Sequence, residues 1–284
     1  MHIIGKTAVR NAPRLHGPRP LKELGQHFLQ DEEIASQIVE SLRLRWEDRV
    51  VEIGPGRGVL LRFLLKQSHK VTAVELDARL MKSLTSAFGG HPGLNLIFGD
   101  FLEYDLRKYL SEDVSRVKIV GNIPYSLSSS ILFYIFEIAG DIQKTGDHNL
   151  DSATLMLQRE VAYRICAGPG GRDYGGITVF RSLVAEAEVL FDVPPNAFVP
   201  PPKVMSSVIR LTFFPQEKYK VADYHLFRDL VHTVFRQRRK MLKNTLKGLT
   251  WIRQDWANTS FDFTQRPEDL SAEEFIRLFN LIRN

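Results

Sequence analysis

The sequence predicts an α/β fold: a parallel sheet covered by helices on both faces, followed by a small all-helical region. Three observations carry this expectation. From residue 49 to about 185, short β-branched runs alternate with segments of helical period. Four of those runs end on Gly54, Glu75, Asp100 and Asn122, residue types suited to ligands more than to cores. Beyond about residue 216 the periodicity is helical only. Parallel strands need long crossovers, and helical crossovers cover both faces of the sheet they connect.

In chain order, residues 1–20 carry Pro13, Pro18 and Pro20 with little periodicity, and read as a flexible basic arm. "DEEIASQIVESL" sets Ile34, Ile38, Val39 and Leu42 at helical spacing, with Asp31 suited to the N-cap. "RVVEIG" (49–54) is a strand and "GVLLRFLLKQ" a helix. "KVTAVEL" (70–76) is the next strand, followed by the helix "DARLMKSLTSAF" that Asp77 can cap. "LNLIFGD" and "RVKIVGN" are strands, and "SSSILFYIFEIA" is a helix. "ATLMLQREVAYRI" is a strand running into a helix. "AEVLFDV" and "SSVIRLTFF" are two more strands, flanking the stiff connector "PPNAFVPPP". "YHLFRDLVHTVFRQRRKMLKNTL" and "SAEEFIRLFNLI" complete a helical region. The expected organisation is an arm over 1–20, a sheet domain over 21–215 and a helical domain over 216–284.

Composition narrows the function. The 284 residues are 44% hydrophobic and 25% charged, which is ordinary globular composition. No apolar run approaches the ~18 residues that cross a membrane, and no signal-like apolar core stands near the N-terminus. Cys166 is the only cysteine, so no intramolecular disulfide can form, and a cytoplasmic setting is expected. The eight histidines lack ligand spacing, so no metal site is expected. Net charge is +5, unevenly spread. Residues 1–22 carry five Lys/Arg and no acid, and residues 235–248, "FRQRRKMLKNTLKG", carry six and no acid. Removing those 11 from the 38 Lys/Arg leaves 27 against 33 acidic residues. A mildly acidic body with two basic patches suits a polyanion, because phosphate contacts release counterions. Arg236, Arg238, Arg239, Lys240 and Lys243 are the candidate RNA-binding residues.

"EIGPGRGVL" (52–60) closes the first sheet strand with Gly54-x-Gly56-x-Gly58. Glycines there allow a sharp turn and a close backbone approach at a helix N-terminus. The spacing differs from the GxGxxG of dinucleotide enzymes, which argues against an NAD oxidoreductase. Glu75 ends the next strand about 20 residues later, where an acid accepts from ribose hydroxyls. Asp100 ends the third, placed to accept from an adenine amine. The fourth ends in "GNIPYSLSSSIL" (121–132), which has no ionisable catalyst.

Asn122-Ile123-Pro124-Tyr125 resembles the [DNS]-[IVP]-P-[YFW] motif of methyltransferases that act on exocyclic amines. With "LGQHFLQD", "EIGPGRG", "AVELD", "GDFLEYD", "NAFVPPPKVMSSVIRL" and "FRQRRKMLKNTL" in order, nearly the whole chain resembles the KsgA-type small-subunit rRNA adenine N6,N6-dimethyltransferases. The resemblance implies a Rossmann-like class I methyltransferase domain with a small all-α C-terminal domain, and S-adenosylmethionine as cofactor. It implies 16S rRNA, in the small subunit or its precursor, as partner of a monomer. His27 and Leu29 would cover the cofactor, and Gly54 and Gly56 would pass its methionine portion. Glu75 would bind its ribose, and Asp100 with the backbone at Phe101 its adenine. Asn122, with carbonyls of its loop that include Pro124, would hold the target amine. Tyr125 and Phe198 would sandwich the target base. Two positions depart from the family, which commonly has Asn at His27 and an acid at Met205. Two alternatives stand beside this reading: an Erm-type large-subunit enzyme, and a non-catalytic rRNA-binding assembly factor on the same fold.

Overall fold

The computed structural model describes residues 18–20 and 26–283, apart from 69, 114, 147–148 and 254. Of the arm expected over 1–20, only 18–20 fall within them; Lys6, Arg10, Arg14 and Lys22 lie outside.

The sheet region opens with β1 (Phe28–Leu29) and α1 (Glu32–Ser41), then runs β2 (Arg49–Ile53), α2 (Val59–Gln67), β3 (Val71–Glu75) and α3 (Ala78–Phe88). β4 (Leu94–Phe98), α4 (Leu106–Ser111), β5 (Val117–Asn122), α5 (Ser128–Thr145), β6 (Leu150–Gln158) and α6 (Arg159–Cys166) follow. α7 (Gly176–Val184), β7 (Ala185–Val193), β8 (Phe198–Val199) and β9 (Ser206–Phe213) complete it. Beyond lie α8 (Tyr224–Phe235), α9 (Leu242–Thr245) and α10 (Ala272–Ile282). Local chemistry sets the helix starts as expected. Asp31 accepts from the amides of Glu33 and Ile34, and Asp77 from that of Arg79.

Seven strands form one sheet in the order β4-β3-β2-β5-β6-β9-β7. The first five are mutually parallel. The all-parallel expectation fails on one side, where β9 runs antiparallel to both β6 and β7. The reason is the connector: residues 194–205 are too short and too proline-rich to make a helical crossover, so the chain returns antiparallel. That connector is not featureless. β8 pairs antiparallel with β1, Leu29 opposite Phe198, across about 170 residues of chain.

Side chains alternate across the sheet into two apolar layers. Val50, Val71 and Ala73 pack with α1 and α2, while Val51, Ile53 and Ile119 pack with α5 and α7. The second layer continues without a break into Phe227, Leu230, Phe275 and Phe279 of α8 and α10. No helix of the described residues is long and apolar enough to cross a membrane.

Candidate active site

The C-terminal ends of β2, β3 and β5 meet at one cleft, open to solvent. Its floor is the turn after β2, where Gly54, Gly56 and Gly58 all hold positive φ. At Gly56 the need for glycine is double. Its φ is +59°, and a Cβ would stand 3.1 Å from the Phe28 ring.

Glu75 braces this turn. Its Oε2 accepts from the Gly56 amide at 3.0 Å and its Oε1 from the Asp77 amide at 2.9 Å. Burial raises its carboxyl, and those backbone donors pull it partly back. Beside it lies an acid the sequence reading passed over. Glu52, on β2, lines the cleft at 1% exposure, and its Oε2 has no hydrogen-bond partner. Burial, then the Glu75 charge, pushes its carboxyl up to about 8. The signal was present in "RVVEIG": an acid inside a strand buried on both faces. Two carboxylates starved of solvent make a floor that favours a cation. Asp77 is different. The Arg79 guanidinium holds its carboxyl well below the usual range, and Gln26 donates to it at 3.1 Å.

The loop after β5 forms the facing wall. Asn122 Nδ2 donates to the carbonyl of His27 at 3.0 Å. A carbonyl only accepts, so this bond fixes the amide and leaves Asn122 Oδ1 as an acceptor. The Pro124 carbonyl is already used, accepting from Leu127 N at 3.0 Å and Ser128 Oγ at 3.2 Å. Ile123 has its amide on Met156 O, and its carbonyl has no backbone donor among the described residues. Ile123, not Pro124, therefore offers the free loop carbonyl. The Tyr125 ring stacks on His27, with centroids 5.7 Å apart. His27 Nδ1 in turn sits 2.7 Å from the Pro200 carbonyl, tying this wall to the proline connector.

The structure thus gathers His27, Leu29, Gly54, Gly56, Glu75, Asn122, Pro124 and Tyr125 around one cleft. It does not bring every expected residue there. Phe198 is 2% exposed, packed in the layer with Leu29 and Val208, and does not line the cleft. The β1–β8 pairing is what draws it under. Asp100 lies in an adjoining groove, where Oδ1 accepts from Leu102 N at 2.9 Å. Phe101 is buried edge-on against Tyr134. Leu76, the residue after Glu75, is 46% exposed, an apolar side chain the sequence reading did not single out. Of the small residues in "YSLSSS", Ser128 closes the turn and Ser126, Ser129 and Ser130 face solvent. In the basic segment Arg236, Arg239, Lys240 and Lys243 are exposed. Arg238 is committed to the fold, paired with Glu268 at 2.8 Å and donating to the Arg172 carbonyl at 2.7 Å. Among the described residues no cluster of His, Cys, Asp and Glu could hold a metal.

Comparisons with known proteins agree with one another. A family model described as ribosomal RNA adenine dimethylase matches residues 20–284. Ribosomal RNA small subunit methyltransferase A of Pseudomonas savastanoi pv. phaseolicola is 37% identical over 260 residues, covering 92% of this chain and 93% of its own. The probable ribosomal RNA small subunit methyltransferase A of Methanopyrus kandleri is 38% identical over 267 residues, covering 93% and 89%. Among solved structures, a dimethyladenosine transferase from Plasmodium falciparum superposes with a TM-score of 0.70 at 23% identity, covering 89% of this chain and 96% of that one. The 23S rRNA methyltransferase ErmE gives 0.66 at 25% identity, covering 90% and 99%.

Proposed function

The chain belongs to the ribosomal RNA adenine dimethylase family, and on that premise we propose a specific reaction. It transfers methyl groups from S-adenosylmethionine to N6 of two adjacent adenosines near the 3′ end of small-subunit (16S) rRNA. The product is N6,N6-dimethyladenosine, made during ribosome biogenesis. The observation that carries the reading is the Asn122 amide, locked by His27 so that its oxygen is an acceptor beside an aromatic face and a free carbonyl.

The cleft fits the cofactor chemically. The orphaned Glu52 oxygen suits an ammonium, and the Gly54–Gly56 turn leaves backbone room for a methionine portion. Glu75 would take the ribose, and Asp100 with the backbone at Phe101 the adenine. His27 and Leu29 would cover the site. When bound, the cofactor supplies a methyl group already activated by its sulfonium.

The protein's own task is to aim the amine. N6 is a weak nucleophile because its lone pair is delocalised into the purine. Asn122 Oδ1 and the Ile123 carbonyl, each accepting one N–H, favour a pyramidal nitrogen with its lone pair in line. That is orientation plus electrostatic stabilisation. The methylated amine is acidic and gives up its proton without a dedicated base. Tyr125 offers its face to the base, a contact worth roughly 1–3 kcal/mol. Arg236, Arg239, Lys240 and Lys243 would hold rRNA phosphates, with the enzyme acting as a cytoplasmic monomer. The small-subunit substrate is favoured over a large-subunit one because the relatives sharing 37–38% identity carry small-subunit names.

Transfer of labelled methyl from S-adenosylmethionine to unmethylated small subunits, with mapping of the modified bases, tests this. Label on paired adenosines near the 3′ end is expected, and Asn122→Ala and Tyr125→Ala abolish it while still binding the subunit. Full activity in both variants would sink the mechanism, and label on large subunits alone would sink the substrate.

A further inference from the structure

The Tyr125 phenol is held from behind. Its oxygen lies 2.8 Å from Ser206 Oγ, a contact between the loop after β5 and the start of β9. Ser206 has no exposed surface, and its backbone is paired on both sides, with Gln158 of β6 and Val193 of β7. The antiparallel run of β9 explains why it is there. A strand opposed to β6 begins where β5 and β6 end, so β9 delivers its first side chain to the cleft edge. The next residue points the other way: Ser207 Oγ donates to Asp192 Oδ1 at 2.6 Å. Ser206 is thus an immobile hydroxyl set in the sheet, and Tyr125 is half-buried at the end of a short turn.

We infer that Ser206 is a positioning residue for methyl transfer, acting through Tyr125. It touches neither cofactor nor base. The bond ties the phenol oxygen to the sheet and fixes the tilt of the ring, which also stacks on the His27 imidazole. A base lying on that ring takes its tilt from it, and in-line transfer to N6 is sensitive to small errors of aim. The second transfer is the more demanding one, because the nitrogen then already carries a methyl group. Losing the bond therefore slows the second methylation more than the first. This rests on the proposed methyl transfer to adenine.

The test is a double-mutant cycle of Ser206→Ala and Tyr125→Phe, each of which removes the same bond. Each variant is expected to lose about tenfold in kcat, the size of one lost neutral hydrogen bond. The KM for S-adenosylmethionine stays unchanged. The ratio of monomethyl to dimethyl product rises in both, and the double variant is no worse than either single one. Ser207→Ala, on the opposite face, leaves the product ratio unchanged. Multiplying effects, or a wild-type product ratio in Ser206→Ala, would overturn the inference and leave Ser206 with packing alone. NMR of ring-labelled tyrosine keeps the two readings apart. A Tyr125 hydroxyl that exchanges slowly in the wild type and fast in Ser206→Ala supports the lock even if no methyl is transferred, in which case the proposed function fails instead. Fast exchange in the wild type overturns the lock.

Discussion

Glu52 is a carboxyl whose charge the fold suppresses. It keeps its proton in the folded chain up to about pH 8, against a reference value of 4.5. Between those limits the folded state binds more protons than the unfolded one, so stability falls as pH rises through the window. Glu52→Gln is expected to raise the melting temperature of the ligand-free protein at pH 8 and to leave it unchanged near pH 4.5. A cationic ligand favours the ionised carboxyl, so binding releases a proton and affinity rises with pH toward 8. Calorimetry on the Gln variant should find weaker binding of S-adenosylmethionine that no longer varies across this window. An unchanged pH slope would remove Glu52 from the site. At this scale the sequence was legible where a motif ties a residue type to a strand end: Gly54, Glu75 and Asn122 stand where spacing put them. It was not legible for Phe198, because a ring in "NAFVP" reads the same whether it faces a base or a core. Arg238 likewise matches its basic neighbours in sequence, and only the position of Glu268 sets it apart.

Among the elements, the turn between β2 and α2 depends most on its composition. Gly56→Ala forces an L-residue into left-handed φ, a cost of about 1–2 kcal/mol, and also crowds Phe28. Urea denaturation should show that loss, together with a raised Kd for S-adenosylmethionine. Gly54→Ala, at φ +60° with open space around its Cβ, should show the stability loss without the crowding. The basic stretch from the end of α8 into α9 makes a second prediction. Neutralising Arg236, Arg239, Lys240 and Lys243 is expected to lower the salt slope of rRNA binding by about one unit per lost phosphate contact. Cofactor affinity should not move. A salt slope equal to the wild type would make the segment a solvated face. Most strands and helices over 49–213 were legible because their periods differ, but α4 and α7 were not read from the sequence. The two-residue pairing of β1 with β8 was not, since two residues carry no period and the partners lie far apart in sequence.

Across the whole molecule, a chain of aromatic rings joins the sheet domain to the C-terminal helices. Phe133 of α5 meets Phe180 of α7 at 5.4 Å, Phe180 meets Phe227 of α8 at 6.1 Å, and Phe227 meets Phe279 of α10 at 5.6 Å. Phe180 stands at the crossing of both regions and is 1% exposed. Phe180→Ala should cost about 3–5 kcal/mol, and calorimetry of the wild-type chain should show one unfolding transition. Two separate transitions would mean that the rings touch without coupling the regions. The change of period near residue 216 marks where the sheet stops, but periodicity reports each helix's own face and not which neighbour covers it.

The pairing of Phe28–Leu29 with Phe198–Val199 also fixes when the cleft can be completed as the chain is made. The glycine turn, Glu75 and the Asn122 loop all lie within the first 125 residues, yet β8, the strand that pairs with β1 beside them, ends at residue 199. Synthesis runs from the N-terminus, so the chain through residue 199 must emerge before Phe28 and Leu29 meet their partners. Until then Phe28 and Leu29, which line the cleft, lack their strand partners, and the cleft is completed only once residue 199 has been made.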